Sequence, residues 1–346
     1  MKEFKISKML VVLCLALMIS ILSACSDTGE ENTEEPSVSE ETSNAETGNT
    51  DDEEAKEEEQ QEATTKMYTT LQGEEVEIPV NPQRVVTDFS VGALLKLGIK
   101  PVGAVQEYGL DNPHFPAEEI EGIEDIGSSI SLEKVTSLNP DLIITISPDQ
   151  YESLSKIAPT ILIPYGSYDN FEDELLAYGE IVNKTEEAEA WIADFKVKIS
   201  EAKQKLEGVI GEDETAGIYQ YYEKAFYVYG NKFGRGGPVI YDLLGLKMPD
   251  KIQEMVDGGE QWGNISLEVL PEYAADHMFL TDNAAAENGM MLSQEVLDSS
   301  IYQNLAKENE VYVVDPDRMW YDDPYAIEGQ LEDVVELLLA VNSSKE

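Results

Sequence analysis

The chain has 346 residues, with 70 Asp and Glu against 23 Lys and Arg, which gives a formal net charge of −47. That balance excludes nucleic acid as a partner, because phosphate binding needs a basic face, and it works against direct adhesion to anionic lipid. Two cysteines (Cys14, Cys25) and two histidines (His114, His277) supply neither a disulfide framework nor a His-rich metal site, so a Ser-His-Asp or Cys-His enzyme would have to be built on one of those two imidazoles.

Residues 1–24 begin with Lys2, Lys5 and Lys8 and continue as MLVVLCLALMISIL, the charged and apolar parts of a secretory leader. Leu22-Ser23-Ala24-Cys25 follows at once and resembles a bacterial lipobox. Cleavage before Cys25 would leave that residue to carry the lipid, anchoring a chain that does not span the membrane. The alternative is an ordinary secretory signal with an incidental cysteine. Residues 25–66, the lipidated Cys25 plus an acidic stretch rich in Glu, Thr, Ser and Asn, hold too few apolar side chains to bury a core; they read as a disordered tether with a solvated spacer at 51–62.

From residue 67 strands and helices alternate. A small β element over 68–78 precedes a strand at 84–89, a helix at 91–97 and a strand at 101–108. A Ser-Leu-Glu helix leads to a strand at 141–146, then come a helix at 151–157, a strand at 160–164 and a helix at 171–182. Residues 184–208 form one long helix. Thr185 serves as N-cap, Ala188, Trp191, Ile192, Phe195 and Ile199 make one apolar stripe, and Gly208 stops it. The second half has a strand at 216–221 with a hairpin partner at 225–229, a glycine-rich loop at 230–237 running into a helix from Pro238, a strand at 311–314 and a closing helix at 326–341.

The two halves share a unit: SLEKVTSLNPDLIITIS from Ser131 and SLEVLPEYAADHMFLTD from Ser266 both read as Ser-Leu-Glu, helix, strand. Parallel sheets in two α/β halves joined by one rigid helix imply a cleft between lobes 67–183 and 209–346. In such sheets ligands sit outside the carboxyl ends of the strands. That rule selects Phe89, Tyr108, Ser129 and Tyr151 in the first lobe. In the second it selects Tyr222, Arg235, Trp262, Arg318, Trp320 and Tyr321. The aromatic side chains have a core reading as well as a site reading. The loop 230–237 lacks the Gly-Lys-Ser/Thr ending of a phosphate loop, but Arg235 can meet an anion at the following helix. Arg84, opening a strand, reads as structural.

The leader, the tether, NPQRVVTDF, LLKLGIKPVGAV, the Ser-Leu-Glu units, the long helix, FGRGGPVIYDLLGLKMP, QWGNISLEVL and MWYDDPYAI together resemble the iron-siderophore and cobalamin substrate-binding proteins of ABC importers. The resemblance covers residues 67 to the C-terminus and the leader. It implies an α/β fold of two Rossmann-like lobes joined by a single long helix, stiff enough that closure on ligand is small. It also implies that Glu133 and Glu268 dock on a permease dimer with its ATPase, and that Trp262 and Trp320 match cleft tryptophans. Where a ferrichrome-binding relative has an arginine, this chain has Ser128-Ser129, which leaves Arg235 or Arg318 to substitute.

The expectation is a monomeric, lipid-anchored receptor on the extracytoplasmic face of the membrane, with no cofactor, no catalytic residue and no metal held directly by protein. Its cargo would be a ferric siderophore, with the hydroxamate type favoured because an acidic surface repels anionic catecholates. Ferric citrate, haem and cobalamin remain alternatives for the same role, and an extracellular hydrolase built on His114 or His277 is the rival from another class.

Overall fold

The computed structural model describes residues 64–286 and 288–343; the leader, Cys25 and nearly all of the tether lie outside them. β1 (Thr65–Thr69) pairs antiparallel with β2 (Glu75–Pro79), placing Lys66 opposite Ile78. The folded part therefore starts inside the stretch read as tether. Ile78 is fully buried in the first lobe's core, and that burial holds the hairpin down.

The first lobe continues with β3 (Val85–Thr87), β4 (Gly103–Ala104), β5 (Glu124–Asp125), β6 (Leu142–Thr145) and β7 (Thr160–Leu162), all parallel in the order β5-β4-β3-β6-β7. Every side chain of β6, Leu-Ile-Ile-Thr, is buried, as expected of a strand with helices on both faces. The strand expected at 101–108 stops after two residues, and the chain turns into a single π-helical stretch, Gln106–Leu110. The helix expected at 151–157 starts earlier, at Pro148, whose fixed φ suits a first helical position.

The second lobe has β8 (Ala216–Tyr222), β9 (Ala225–Tyr229), β10 (Trp262–Ile265), β11 (His277–Asp282) and β12 (Glu310–Val313) in the order β10-β9-β8-β11-β12. Numbered within each lobe, both sheets run 3-2-1-4-5. They differ in that β9 is antiparallel to its neighbours. The repeated unit diverges in the same way. After Ser131 an α-helix, Leu132–Ser137, forms with the Ser131 hydroxyl accepting the Lys134 N–H. After Ser266 the chain makes a 3-10 helix, Leu267–Tyr273, because Pro271 inside it cannot donate to an α-helical ladder.

The connecting helix is Thr185–Leu206, with Lys184 rather than Thr185 at the cap position and Gly208 at φ +76° beyond its end. Its stripe divides between two cores. Ala188 and Ile192 pack into the first lobe, and Phe195, Ala202 and Leu206 into the second. Trp191 touches both cores and stacks on Phe195 at 4.9 Å. The C-terminal helix, Pro324–Ser343, buries Ile327, Leu331, Val334, Val335 and Leu338 in the second lobe but also reaches the first. Its Glu328 pairs with Lys96 of helix Val91–Lys96 at 2.6 Å, and a Cβ on Gly92 of that helix would lie 2.1 Å from Asp323 Oδ1. Only glycine at position 92 allows this seam to close.

Candidate ligand-binding cleft

In the first lobe the strand order reverses between β3 and β6, and the crevice opens at their carboxyl ends. Buried Asp88 ties the two ends together. Its carboxylate accepts the Thr145 hydroxyl at 2.5 Å and the Ile146 N–H at 3.0 Å. Burial pushes this carboxyl above its usual range, while the Thr145 and Ile146 donors work in the opposite direction. Phe89 and Ile146, which follow the two strand ends, line the crevice.

The second lobe supplies the facing wall from two loops. Gly234, Arg235 and Gly236 all have positive φ, at +61°, +54° and +83°. A Cβ at Gly234 would sit 2.5 Å from the Trp320 carbonyl, so glycine lets this loop lie directly on the segment that follows β12. Arg235 tolerates the left-handed region at a cost of about 1 kcal/mol or more. In return its guanidinium lies 3.8 Å above the Trp320 ring, with the Tyr229 and Phe233 rings at 5.0 and 5.1 Å. Its Nε is buried without a hydrogen-bond partner among the described residues. Loss of water lowers the Arg235 pKa, opposed by Tyr229, Tyr165 and Asp322, and leaves the guanidinium charged.

Between these walls lies a cavity of about 270 Å³, lined by Phe89, Tyr108, Ile146, Tyr165, Phe233, Arg235, Trp320, Tyr321 and Asp322. A second compartment of about 210 Å³ shares Phe89, Tyr108 and Ile146 and adds Ser128, Ser129, Ser147 and Gln150. Among the described residues Arg235 is the one cation lining either space. Burial and the neighbouring Asp322 push the Tyr165 phenol far up, and burial does the same for Tyr321, so both keep their protons. The cavity is an aromatic box with one guanidinium, Arg235, and one carboxylate, Asp322, among its lining.

Hydrogen bonds cross between lobes around this box. The Tyr165 hydroxyl donates to Asp322, the Tyr321 hydroxyl to the Glu107 carbonyl at 3.2 Å, and Lys232 pairs with Asp169 at 2.7 Å.

The structure thus brings Phe89, Tyr108, Ser129, Arg235, Trp320 and Tyr321 together. It does not bring Arg318, whose guanidinium turns to the C-terminal helix and grips Asp333 at 2.7 and 2.9 Å. Arg318 is ion-paired to a carboxylate on that helix, whereas among the described residues no carboxylate lies within ion-pair distance of Arg235. Tyr151 sits on the helix Pro148–Leu154 outside the lining, where Gln150 takes the place expected of it. Tyr222 ends β8 as an exposed side chain away from both compartments. Trp262, 46 % exposed on β10, flanks the box by packing on Phe233 at 6.4 Å and does not line it. Sequence reasoning missed Asp88, Tyr165 and Asp322. An aromatic residue just past a strand is the signal that selected Phe89, and it would have found Tyr165 beyond β7 as well.

Glu133 and Glu268 are both exposed in the first turns after their serines, and the Ser266 hydroxyl lowers the Glu268 pKa. Each follows the carboxyl end of an edge strand, β5 in one lobe and β10 in the other, and β10 runs in the same direction as β8. They therefore occupy equivalent places on the two sheets. Among the described residues no group of His, Cys, Asp and Glu has the arrangement of a metal site, and no helix is long and apolar enough to cross a membrane.

Residues 86–318 match the family model described as periplasmic binding protein. The chain belongs to that family. It is 36 % identical over 334 residues, 95 % of this chain and 96 % of the relative, to the iron(3+)-hydroxamate-binding protein YxeB of Bacillus subtilis. It is 38 % identical to the iron(3+)-hydroxamate-binding protein FhuD of the same organism, over 80 % of this chain and 87 % of the relative. Among solved structures, FhuD2 from Staphylococcus aureus with bound ferrioxamine B superposes with a TM-score of 0.66 at 27 % identity, over 75 % of this chain and all of that one. The two-lobed α/β architecture with a long linking helix is the one its sequence implied.

Proposed function

We propose that this chain is the substrate-binding lipoprotein of an ABC importer and captures a ferric siderophore of the hydroxamate type in the cleft between its lobes. The observation that carries the cargo is the aromatic box with a single cation, Arg235 laid on Trp320. A ferric ion held by three singly charged hydroxamates is neutral. It asks for shape, aromatic walls and a few donors to its oxygens, and the box supplies these. A ferric tricatecholate carries several negative charges; one guanidinium on a chain of net charge −47 is a poor match for it. The hydroxamate-binding names of the two Bacillus relatives support the same choice.

In this reading the chelator alone holds the iron, Cys25 carries the lipid anchor outside the membrane, and Glu133 and Glu268 meet basic residues on the two halves of a permease dimer served by its ATPase. The equivalent placement of the two glutamates on similar lobes suits a two-fold partner. The chain acts as a monomer and performs no chemistry on its cargo.

The test is a titration of the full chain, read by tryptophan fluorescence, against ferric hydroxamates, ferric citrate, a ferric tricatecholate, haem and cobalamin. Sub-micromolar quenching by a hydroxamate, and by no other member of the panel, is expected. Tight binding of the tricatecholate would overturn the hydroxamate preference, and a response to haem or cobalamin alone would keep the transport role and replace the cargo.

A further inference from the structure

The aromatic box does not hold a bulky chelate by itself. Sites for drug-sized ligands run from about 300 Å³ upward, and the box has about 270 Å³. The adjoining compartment of about 210 Å³ shares Phe89, Tyr108 and Ile146 with it, so a cargo that fills the box continues into the second space.

The two spaces differ in chemistry. The box has aromatic walls, and its one carboxylate, Asp322, is offset by Arg235. The second compartment carries Asp88, Ser128, Ser129, Ser147 and Gln150, and among the described residues no cation lines it. Asp88 is buried with Thr145 and Ile146 as donors, and the Ser147 hydroxyl stands beside its carboxylate. The side chains of Ser128, Ser129 and Gln150 make no hydrogen bond to the described residues, so their oxygens are open to a ligand. The serine turn is itself held firmly. Gly127 turns the chain at φ +85°, and the Asp125 carboxylate accepts the Gly127 and Gln106 N–H groups at 2.8 and 3.1 Å. That clamp ties the turn to the π-helical stretch bearing Tyr108. Lys134, on the helix that follows, is turned to the Asp125 carbonyl at 2.8 Å.

Hydroxyl and amide oxygens accept hydrogen bonds, and an ammonium offers three donors and no acceptor. A neutral polar arm would find partners here too, but only a cation also gains from the fixed charge of Asp88, which acts strongly across a space that excludes much of the water. An anionic arm would be repelled. We propose that this compartment is a specificity subsite for a protonated primary amine: the ferric hydroxamate core fills the aromatic box, and an ammonium-tipped arm reaches past Phe89 and Tyr108 to the oxygens of Ser128, Ser129, Ser147 and Gln150, with Asp88 as its counter-charge. The inference rests on the cargo reading above and narrows it to hydroxamates with a cationic arm.

The experiment compares two ferric trihydroxamates that differ only at the tip of one arm, a primary amine in one and a hydroxyl in the other, by equilibrium dialysis against the full chain. Sodium chloride at 1 M shortens the screening length to about 3 Å, which removes the pull of the acidic surface as a whole and leaves the local contribution. The amine should bind about tenfold more tightly than the hydroxyl. In the double variant Ser128→Ala, Ser129→Ala that ratio should shrink to about threefold or less. Asp88→Asn should shrink it as well; because Asp88 also joins the ends of β3 and β6, the serine pair decides if that variant does not fold. Equal affinities in the unmodified chain, or a ratio that survives unchanged in either folded variant, would overturn the subsite while leaving the cargo reading intact. If neither chelate binds, the cargo reading has failed and the subsite falls with it.

Discussion

Replacing Arg235 by alanine tests whether the lone cation of the box recognises cargo. Alanine pays the same left-handed backbone cost at φ +54° that arginine pays, so the exchange reports on the head group; glycine would relieve that cost and confuse the result. Two contributions are lost. A guanidinium 3.8 Å over Trp320 in a partly desolvated site is worth about 1–2 kcal/mol in holding the wall. A charge-assisted hydrogen bond from it to a hydroxamate oxygen is worth about 1.5–3 kcal/mol. The first contribution exists with and without cargo, so most of it cancels. Affinity for a ferric hydroxamate should then fall by about 2–3 kcal/mol, or roughly 30- to 140-fold. Arg235→Lys keeps the charge but loses the plane and the fork of donors, and should fall about tenfold. The substitution alters Trp320 emission by itself, so equilibrium dialysis followed by the visible band of the ferric complex is the assay to use. Binding within threefold of the unmodified chain would refute the assignment of Arg235 as a cargo contact.

Three further outcomes follow from the same geometry. Trp320→Ala should weaken binding by roughly 1–3 kcal/mol, in the range of stacked aromatic walls, whereas Tyr222→Ala, outside both compartments, should leave dialysis affinity unchanged. Charge reversal at Glu133 or Glu268 should leave cargo affinity intact but depress uptake in cells that depend on the transporter, with the double reversal worse than either alone; normal uptake in the double variant would remove both from the docking surface. Gly92→Ala places a Cβ 2.1 Å from Oδ1 of Asp323, whose carboxylate is held by the Asn112 amide on Oδ2 and the Tyr325 N–H on Oδ1. The expected cost is about 2 kcal/mol, measured by denaturant midpoint, with a parallel loss of cargo affinity because the seam and the box share a wall.

The order of elements was readable because strand and helix periodicities are local. The apolar runs at 142–145 and 277–280, and the stripe on the connecting helix, each announce burial without reference to anything distant. The weakest readings fell where a neighbour overrides local preference. The 101–108 stretch has strand composition, yet only Gly103 and Ala104 find parallel partners before the chain turns across the sheet end. The second Ser-Leu-Glu unit looks helical until Pro271 forces a tighter winding.

The site divides the same way. The strand-end rule found Phe89, Tyr108, Ser129, Trp320 and Tyr321, because being just past a parallel strand is a property of sequence position. It could not separate Arg235 from Arg318, since both read from the sequence as loop residues of the second lobe near aromatic residues, although Arg318 lies on the short helix Pro316–Trp320. That choice was made by Asp333, fifteen residues after Arg318 on the C-terminal helix, and by a Trp320 ring that Arg235 reaches only because Gly234 lets two loops touch. Sequence alone determined the charge, the two similar halves and the helix between them, since each is written in composition or in spacing within one segment. Tertiary structure decided which side chains share a cavity and which carboxylates share a seam, because desolvation and ion pairing depend on neighbours that the chain brings together from opposite lobes.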